Sequence, residues 1–368
     1  MSTPAEVPGV PLEPLHAWMV KEGLLKADDP TPVLTRLAGG SSNLTVRVQS
    51  GQHDWVLRRP PVRGALPTAH DMLREYRIQA ALASARDEQG LEMPLAVMVA
   101  PGPDPEVIGA PFYLMERLTG FAHTAATLAE LSPAEVHQVG LALADALAQL
   151  HAIDPTTSPA FAEFLRPEPY ADRQLRRWTG QWQRAQQATG LADEPALDRV
   201  FAKLAETRPP ASPPRVIHGD YGLANVLFDD QRPTQVQAVL DWELTALGDP
   251  LADLGALYAY WSEMGRILNI GRPDPVCHPE NQPALPSPEE LVARYAERTG
   301  LGDAAVEHLD WYVTLAVARM GVIVAGALAR MDPETAEGAQ GRTRTASRVH
   351  DLAEAAEASL GRPVRTGA

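Results

Sequence analysis

The stretch VIHGDYGLANVLFDDQRPTQVQAVLDWELTALGDPLADLG, residues 216–255, decides how the chain is read. Asn225 follows Asp220 by five positions. Asp241 opens the segment after two short apolar runs, VLF and VQAVL, which flank the turn-rich DDQRPT. Apolar runs on either side of such a turn form a hairpin, and this one returns Asp241 to the loop that carries Asp220 and Asn225. Taken singly, Asp and Asn sit in turns for backbone reasons alone. The ordered set His218, Asp220, Asn225 and Asp241, with strands between, is poorly explained that way. It suits phosphoryl transfer, which asks a protein for positioning and charge neutralisation. One carboxylate must face the attacking hydroxyl. An amide oxygen and a second carboxylate must hold a hard cation against phosphates.

Upstream of this window the chain reads as sheet after a short helical opening around Leu15 to Leu25. Asn43 to Gln49 alternates apolar Leu44, Val46 and Val48 with polar neighbours, the period-two pattern of a half-buried strand. Ser50-Gly51-Gln52 turns the chain into a second strand, Asp54 to Arg58. His70 to Ala85, free of Gly and Pro, predicts a helix with Leu73, Arg77 and Ala80–Ala81 at helical spacing, and Val107 to Leu118 another strand. Beyond it helices dominate. Val136, Val139, Leu143, Leu147 and Leu150 recur at steps of three and four. Ser287-Pro288-Glu289-Glu290 is a helix start and Gly300 its stop. The Pro-rich, polar stretch Asn269 to Pro288 reads as an exposed loop.

Composition narrows the function classes. In 368 residues, 32 basic against 47 acidic side chains give a net charge of −15, which argues against nucleic acid or an anionic membrane surface as partner. A single cysteine, Cys277, excludes an intramolecular disulfide and a Cys-based zinc site. The opening MSTPAEVPGVPLEP has no basic and no apolar leader region, so no export signal and a cytoplasmic location are expected. Trp311 to Ala329 is the most apolar run, but Arg319 interrupts it. A buried helix too short to span a bilayer is expected there. Only Lys21, Lys26 and Lys203 are lysines, so any cation needed between residues 27 and 202 must be arginine or histidine.

HGDYGLANVLFD followed by VLDWE and GDPLADLG closely resembles the aminoglycoside phosphotransferase and choline-kinase-like branch of the protein-kinase fold. HGD stands where protein kinases have HRD, and DWE where they have DFG. The resemblance covers roughly residues 30 to 330. It implies an α+β fold of two lobes: residues 1–115 forming a small antiparallel nucleotide-binding lobe, and 116–368 a larger, mostly helical catalytic and substrate-binding lobe. It implies ATP and Mg2+, with Asp220 as catalytic base, His218 bracing the loop, and Asn225 and Asp241 as metal ligands. Asp249 and Asp253 are expected to be structural, as a loop anchor and a helix cap. The LAGGSSN segment would place Gly39, Gly40, Ser41, Ser42 and Asn43 over the phosphates. Met115, with the Glu116 carbonyl and the Leu118 N–H, would face adenine.

The lysine that normally reaches the nucleotide phosphates is missing. Arg58, in WVLRRPP, takes its position, with Glu75 as natural helix partner. VLR also points to the subfamily linked to acyl-CoA dehydrogenases. In PYADRQLRRWTGQWQR, a helix would carry Arg173, Arg177 and Arg184 on one stripe and Leu175, Trp178 and Trp182 on another. Such a helix is either a solvated face packed on the core or a substrate surface. As a surface, Arg173, Arg177 and Trp178 suit an anionic acyl thioester better than a polycationic aminoglycoside. The expected function is a small-molecule kinase that phosphorylates a hydroxyl, that of a hydroxyacyl-CoA being the foremost acceptor. The alternatives are an aminoglycoside-type antibiotic kinase and a pseudokinase that binds nucleotide or acyl ligand without turnover.

Overall fold

Strands Val33–Arg36 (β1), Leu44–Ser50 (β2), His53–Arg59 (β3), Met98–Gly102 (β4) and Phe112–Glu116 (β5) pair antiparallel in the order β1-β2-β3-β5-β4. The computed structural model describes residues 7–37, 43–62, 71–189, 191, 195–268, 284–300, 302, 306–332, 336–362 and 364. The alternation read in β2 is present: Leu44, Val46, Val48 and Ser50 are buried and their neighbours are not. Helix α1 (Leu12–Lys21) covers one face of the sheet, and Leu15, Trp18 and Met19 enter a cluster with Val46, Val48, Leu57 and Phe112. Helix α2 (Met72–Glu88) packs on β4 and β5, and the short α3 (Pro105–Ile108) lies against α1.

The buried side of α2 includes Ala81 of the residues named for its spacing, together with polar ones. Met72, Glu75, Ile78, Gln79 and Leu82 face inward, while Arg77 is exposed. Glu75 and Gln79 are polar, and they turn inward because Arg58 and Tyr113 meet them there. Hydrophobic periodicity is blind to such a face. The expected strand from Val107 is a helical turn followed by β5. The edge strand β4 escaped notice because it contains Pro101 and Gly102, which an edge tolerates.

The remainder is mostly helical. After α4 (Ala125–Ala129), α5 (Pro133–Ala152) buries Val136, Val139, Leu143, Leu147 and Leu150 as its spacing requires. Helices α6 (Tyr170–Thr189) and α7 (Pro195–Glu206) follow, then four short strands. Arg215–Ile217 (β6) pairs with Ala246–Gly248 (β9), and Val226–Phe228 (β7) with Val236–Val239 (β8). The hairpin was legible; the β6–β9 pair, three residues a strand, was not. Helices α8 (Leu251–Trp261), α9 (Gly265–Leu268), α10 (Pro288–Thr299), α11 (Leu309–Ala329) and α12 (Ala336–Ser359) complete the chain. Ser287 and Glu290 form a reciprocal cap on α10, and Gly300 ends it in the left-handed region. Residues 269–283, with Cys277, lie outside the described residues.

Helix α11 corrects one expectation. At 21 residues and mean hydropathy 1.8 it is long and apolar enough to cross a membrane by length and composition. It is instead packed among α6, α7, α8 and α12. A small antiparallel sheet region followed by a helical region is the two-lobe α+β arrangement expected from the sequence.

Candidate active site

The two short strand pairs build the site. Between β6 and β7 runs the loop His218 to Asn225, and between β8 and β9 the segment Asp241 to Thr245. Pairing β6 with β9 and β7 with β8 holds these two loops side by side. His218, fully buried, fixes their relation: Nδ1 accepts the Asp220 amide N–H at 3.2 Å, so Nε2 carries the proton and donates it to the Leu240 carbonyl at 2.8 Å. The imidazole thereby ties the start of one loop to the start of the other. Gly219, at φ +87, admits no side chain. A Cβ there would lie 2.6 Å from the Leu244 carbonyl oxygen.

Beneath the loop Asp253, 1% exposed, accepts the backbone N–H of His218 at 2.6 Å and that of Gly219 at 2.8 Å. Its Oδ2, the oxygen that accepts from His218, also lies 3.3 Å from His151 Nε2. Asp249 instead accepts the Leu251 N–H at 2.9 Å and the Ser212 hydroxyl at 2.6 Å, closing the first turn of α8. The two aspartates therefore exchange the roles expected of them: Asp253 anchors the loop and Asp249 caps the helix. A residue within the first turn of α8 projects toward the loop, whereas one preceding the helix reaches its free N–H groups.

Above the loop, Arg58 spans both lobes. Its guanidinium donates to Glu75 Oε1 at 2.7 Å and to Asp241 Oδ1 at 3.1 Å. Glu75, itself 1% exposed, also accepts the Tyr113 hydroxyl at 2.8 Å, and Gln79 donates to that hydroxyl at 3.3 Å. Burial opposes the Arg58 charge, but Tyr113, Glu75 and Asp241 outweigh it and raise the pKa. Burial raises the Glu75 carboxyl in spite of its arginine. Asp241 sits at φ 66, ψ 67, a left-handed conformation rare outside glycine and typical of strained functional positions.

Below Asp241, Asn225 Nδ2 donates to the Asp220 carbonyl at 2.8 Å and to Asp220 Oδ2 at 3.2 Å. Its amide oxygen is thus left without a hydrogen bond among the described residues, as is Asp241 Oδ2. These are hard oxygen donors, the type that magnesium takes. A carboxylate that the sequence reading passed over adds to them. Glu243, the last letter of DWE, is pushed up to about 7 by burial, with Asp241 and Glu75 adding to it. Its signal was the departure from DFG itself, an acid where protein kinases have glycine. Asn43 Nδ2 donates to Glu243 Oε2 at 3.3 Å, so that side chain faces the Asp241 segment. Gly39, Gly40, Ser41 and Ser42 lie outside the described residues. Met115 and Leu118 join Val56, Ala96 and Leu37 in an apolar cluster separate from the main core, and Glu116 continues β5 with its N–H bonded to the Val97 carbonyl at 2.8 Å.

On α6, Trp178 and Trp182 are both buried, and Trp182 donates to Asp198 at 2.9 Å. The aromatic stripe is core rather than a shelf. Arg173 donates to the Glu168 and Leu247 carbonyls. Arg177 lies 4.9 Å from the centre of the Trp178 ring, and Arg319 of α11 lies 5.8 Å from it. Arg319 also donates to the Gly219 carbonyl at 3.0 Å. The residue that broke the apolar run therefore contacts the loop of Asp220.

Residues 33–309 match the phosphotransferase enzyme family, APH. The chain belongs to this family. Among curated relatives of this phosphotransferase, acyl-CoA dehydrogenase family member 11 of Homo sapiens is 32% identical over 305 residues, 82% of this chain and 37% of that protein. The Gallus gallus protein of the same name is 32% identical over 329 residues, 88% and 38% of the two chains. The phosphotransferase chain thus spans little more than a third of these relatives. A solved structure from Ralstonia eutropha, provisionally described as an aminoglycoside phosphotransferase, matches with TM-score 0.75 at 28% identity, over 94% of this chain and 97% of that one. The aminoglycoside phosphotransferase APH(4)-Ia, in ternary complex with AMP-PNP and hygromycin B, shares the fold with TM-score 0.58 at 18% identity, over 95% and 100%.

Proposed function

We propose that this phosphotransferase moves the γ-phosphate of ATP to a hydroxyl of a small anionic acceptor, a hydroxyacyl-CoA being the class that fits best. The observation that carries the reading is the bridge from Glu75 through Arg58 to Asp241, standing over the Asp220–Asn225 pair. Arg58 binds the phosphates with N–H groups not already given to carboxylates, and buried Glu75 keeps it aimed. Asn225 and Asp241 would hold magnesium, with Glu243 beside them, and the bound cation would neutralise phosphate charge. Asp220, exposed at the loop surface, orients the acceptor hydroxyl and accepts its proton. His218 fixes the loop rather than touching substrate. Met115, the Glu116 carbonyl and the Leu118 N–H receive adenine.

Two facts support an anionic acyl acceptor. Arg319 donates to the Gly219 carbonyl in the loop of Asp220, and Arg177 shares the Trp178 ring with it, so two cations stand beside that loop. The two curated relatives compared above are named as acyl-CoA dehydrogenase family members, and this chain corresponds to one part of them. A cationic aminoglycoside would meet repulsion there. The test is a phosphate-transfer assay with ATP and magnesium against hydroxyacyl-CoA esters and aminoglycosides. Transfer to the esters is expected, with Arg177→Ala raising the KM for the ester more than that for ATP. Efficient transfer to kanamycin-like polycations would overturn the acceptor assignment. No transfer to any hydroxyl would leave the pseudokinase.

A further inference from the structure

Beside the cleft, between α2 and α6, lies a cavity of about 320 Å3 with five arginines in its wall: Arg74, Arg166, Arg173, Arg176 and Arg177. Among the described residues no carboxylate lines it. This is unexpected in a chain of net charge −15, where cations elsewhere find acids, as Arg294 and Arg298 find Asp145. Arg74 donates instead to the carbonyls of Glu243 and Thr245, Arg166 to those of Glu163 and Leu165, and Arg173 to those of Glu168 and Leu247. Carbonyl oxygens hold a guanidinium in place without cancelling its charge, and each guanidinium has about five N–H donors, so some remain to be used. Among the described residues Arg176 forms an ion pair, with Glu168, which lies outside the cavity wall; Asp71 and Glu163 act on Arg74 only at longer range. Arg177 rests on the Trp178 ring and has no carboxylate partner among the described residues.

Like charges gathered beside apolar Phe161 and Phe164 repel one another unless an anion joins them. Burial lowers the pKa of Arg74, against which Asp71 and Glu163 act and to which the Arg166 and Arg77 charges add. Burial and then Arg319 lower that of Arg177, with Tyr170 opposing them.

We propose that this cavity binds a compact phosphate-bearing anion, distinct from the nucleotide phosphates held by Arg58. Planar guanidinium forks match phosphate oxygens pairwise, and several of them can serve more than one phosphate group. The site would also join the lobes. Arg74 precedes Glu75 on α2, and Arg173, Arg176 and Arg177 belong to α6, so an anion between them ties α2 down where Glu75 aims Arg58. The phosphates come either from a free anion or, if the acceptor proposed above is correct, from its phosphate-bearing end.

Isothermal titration calorimetry on the full chain, in EDTA and without ATP, reads binding independently of any kinase activity. The probes are inorganic pyrophosphate and adenosine 3′,5′-bisphosphate. Saturable binding of at least one is expected, weakened at least about tenfold in the double variant Arg166→Gln, Arg176→Gln, because two charge-assisted contacts are lost. Both residues are exposed, so the fold should survive, and Arg166→Lys with Arg176→Lys should largely restore affinity. Inhibition of acceptor phosphorylation by the bisphosphate, competitive with the acceptor, would identify the acceptor as the source; pyrophosphate binding without such competition would identify a free anion. Absence of saturable binding to the wild-type chain, or equal binding by the double glutamine variant, would overturn the proposal.

Discussion

Arg58 is the residue on which the two lobes meet, and its chemistry differs from that of the lysine it replaces. A flat fork reaches two carboxylates at once, Glu75 and Asp241, where a single ammonium would favour one. Arg58→Ala leaves Glu75 buried beside no cation. The expected cost is about 3–5 kcal/mol of stability together with loss of ATP binding. Arg58→Lys should recover part of both. Chemical denaturation and an ATP titration check this, and an alanine variant indistinguishable from wild type in both would show that Arg58 does neither job. The Arg58–Glu75 pair was legible because strand and helix positions and a missing lysine all pointed to it. Gln79 and Tyr113, which complete the buried network, were not: a polar residue on a helix gives no sign that it points inward. Glu243 was visible only as a mismatch to a motif. Asp220 and Asn225, by contrast, stand at the positions that the resemblance of HGDYGLANVLFD assigns to them.

Among the elements, the loop carrying Asp220 is held from below by α8 and from the side by β8. Asp253 takes two backbone N–H groups and faces His151, and both Asp253 and His151 are buried. Asp253→Ala strands these donors, and a cost of about 2–4 kcal/mol is expected, with loss of any turnover. Asp249→Ala removes a helix cap and a contact to Ser212, for about 1–2 kcal/mol. Thermal unfolding of the two variants ranks them. A larger loss at Asp249 would restore the roles first expected from GDPLADLG. Long elements were legible where one face is apolar, as in α5, or where both ends carry signals, as in α10. The strands β6 and β9 are short because their work is to brace loops, and three residues carry no readable period. The stripe on α6 was read correctly in spacing; Trp178 and Trp182 pack inward, Arg173 holds carbonyls, and Arg177 rests on the Trp178 ring.

At the scale of the molecule, a chain with a net charge of −15 still groups arginines around one region. Arg58 bridges Glu75 and Asp241, Arg319 meets the loop of Asp220, and five arginines line the cavity between α2 and α6. The two-lobe plan was evident from one window of sequence, because HGDYGLANVLFD, VLDWE and GDPLADLG resemble a family whose fold has two lobes. The cavity was not, since it joins residues from Arg74 to Leu247 that only the folded chain brings together. The central claim is that Asp220, Asn225, Asp241 and Arg58 form a working magnesium–nucleotide site. Calorimetric titration of ATP into the wild-type chain, the Asp220→Asn variant and the Asp241→Ala variant, each with magnesium and with EDTA, tests it most directly. ATP should bind the wild type and Asp220→Asn far more tightly with magnesium than with EDTA, and Asp241→Ala should lose most of that difference. ATP binding that is the same with magnesium and EDTA in the wild type, or a magnesium effect undiminished in Asp241→Ala, would contradict it.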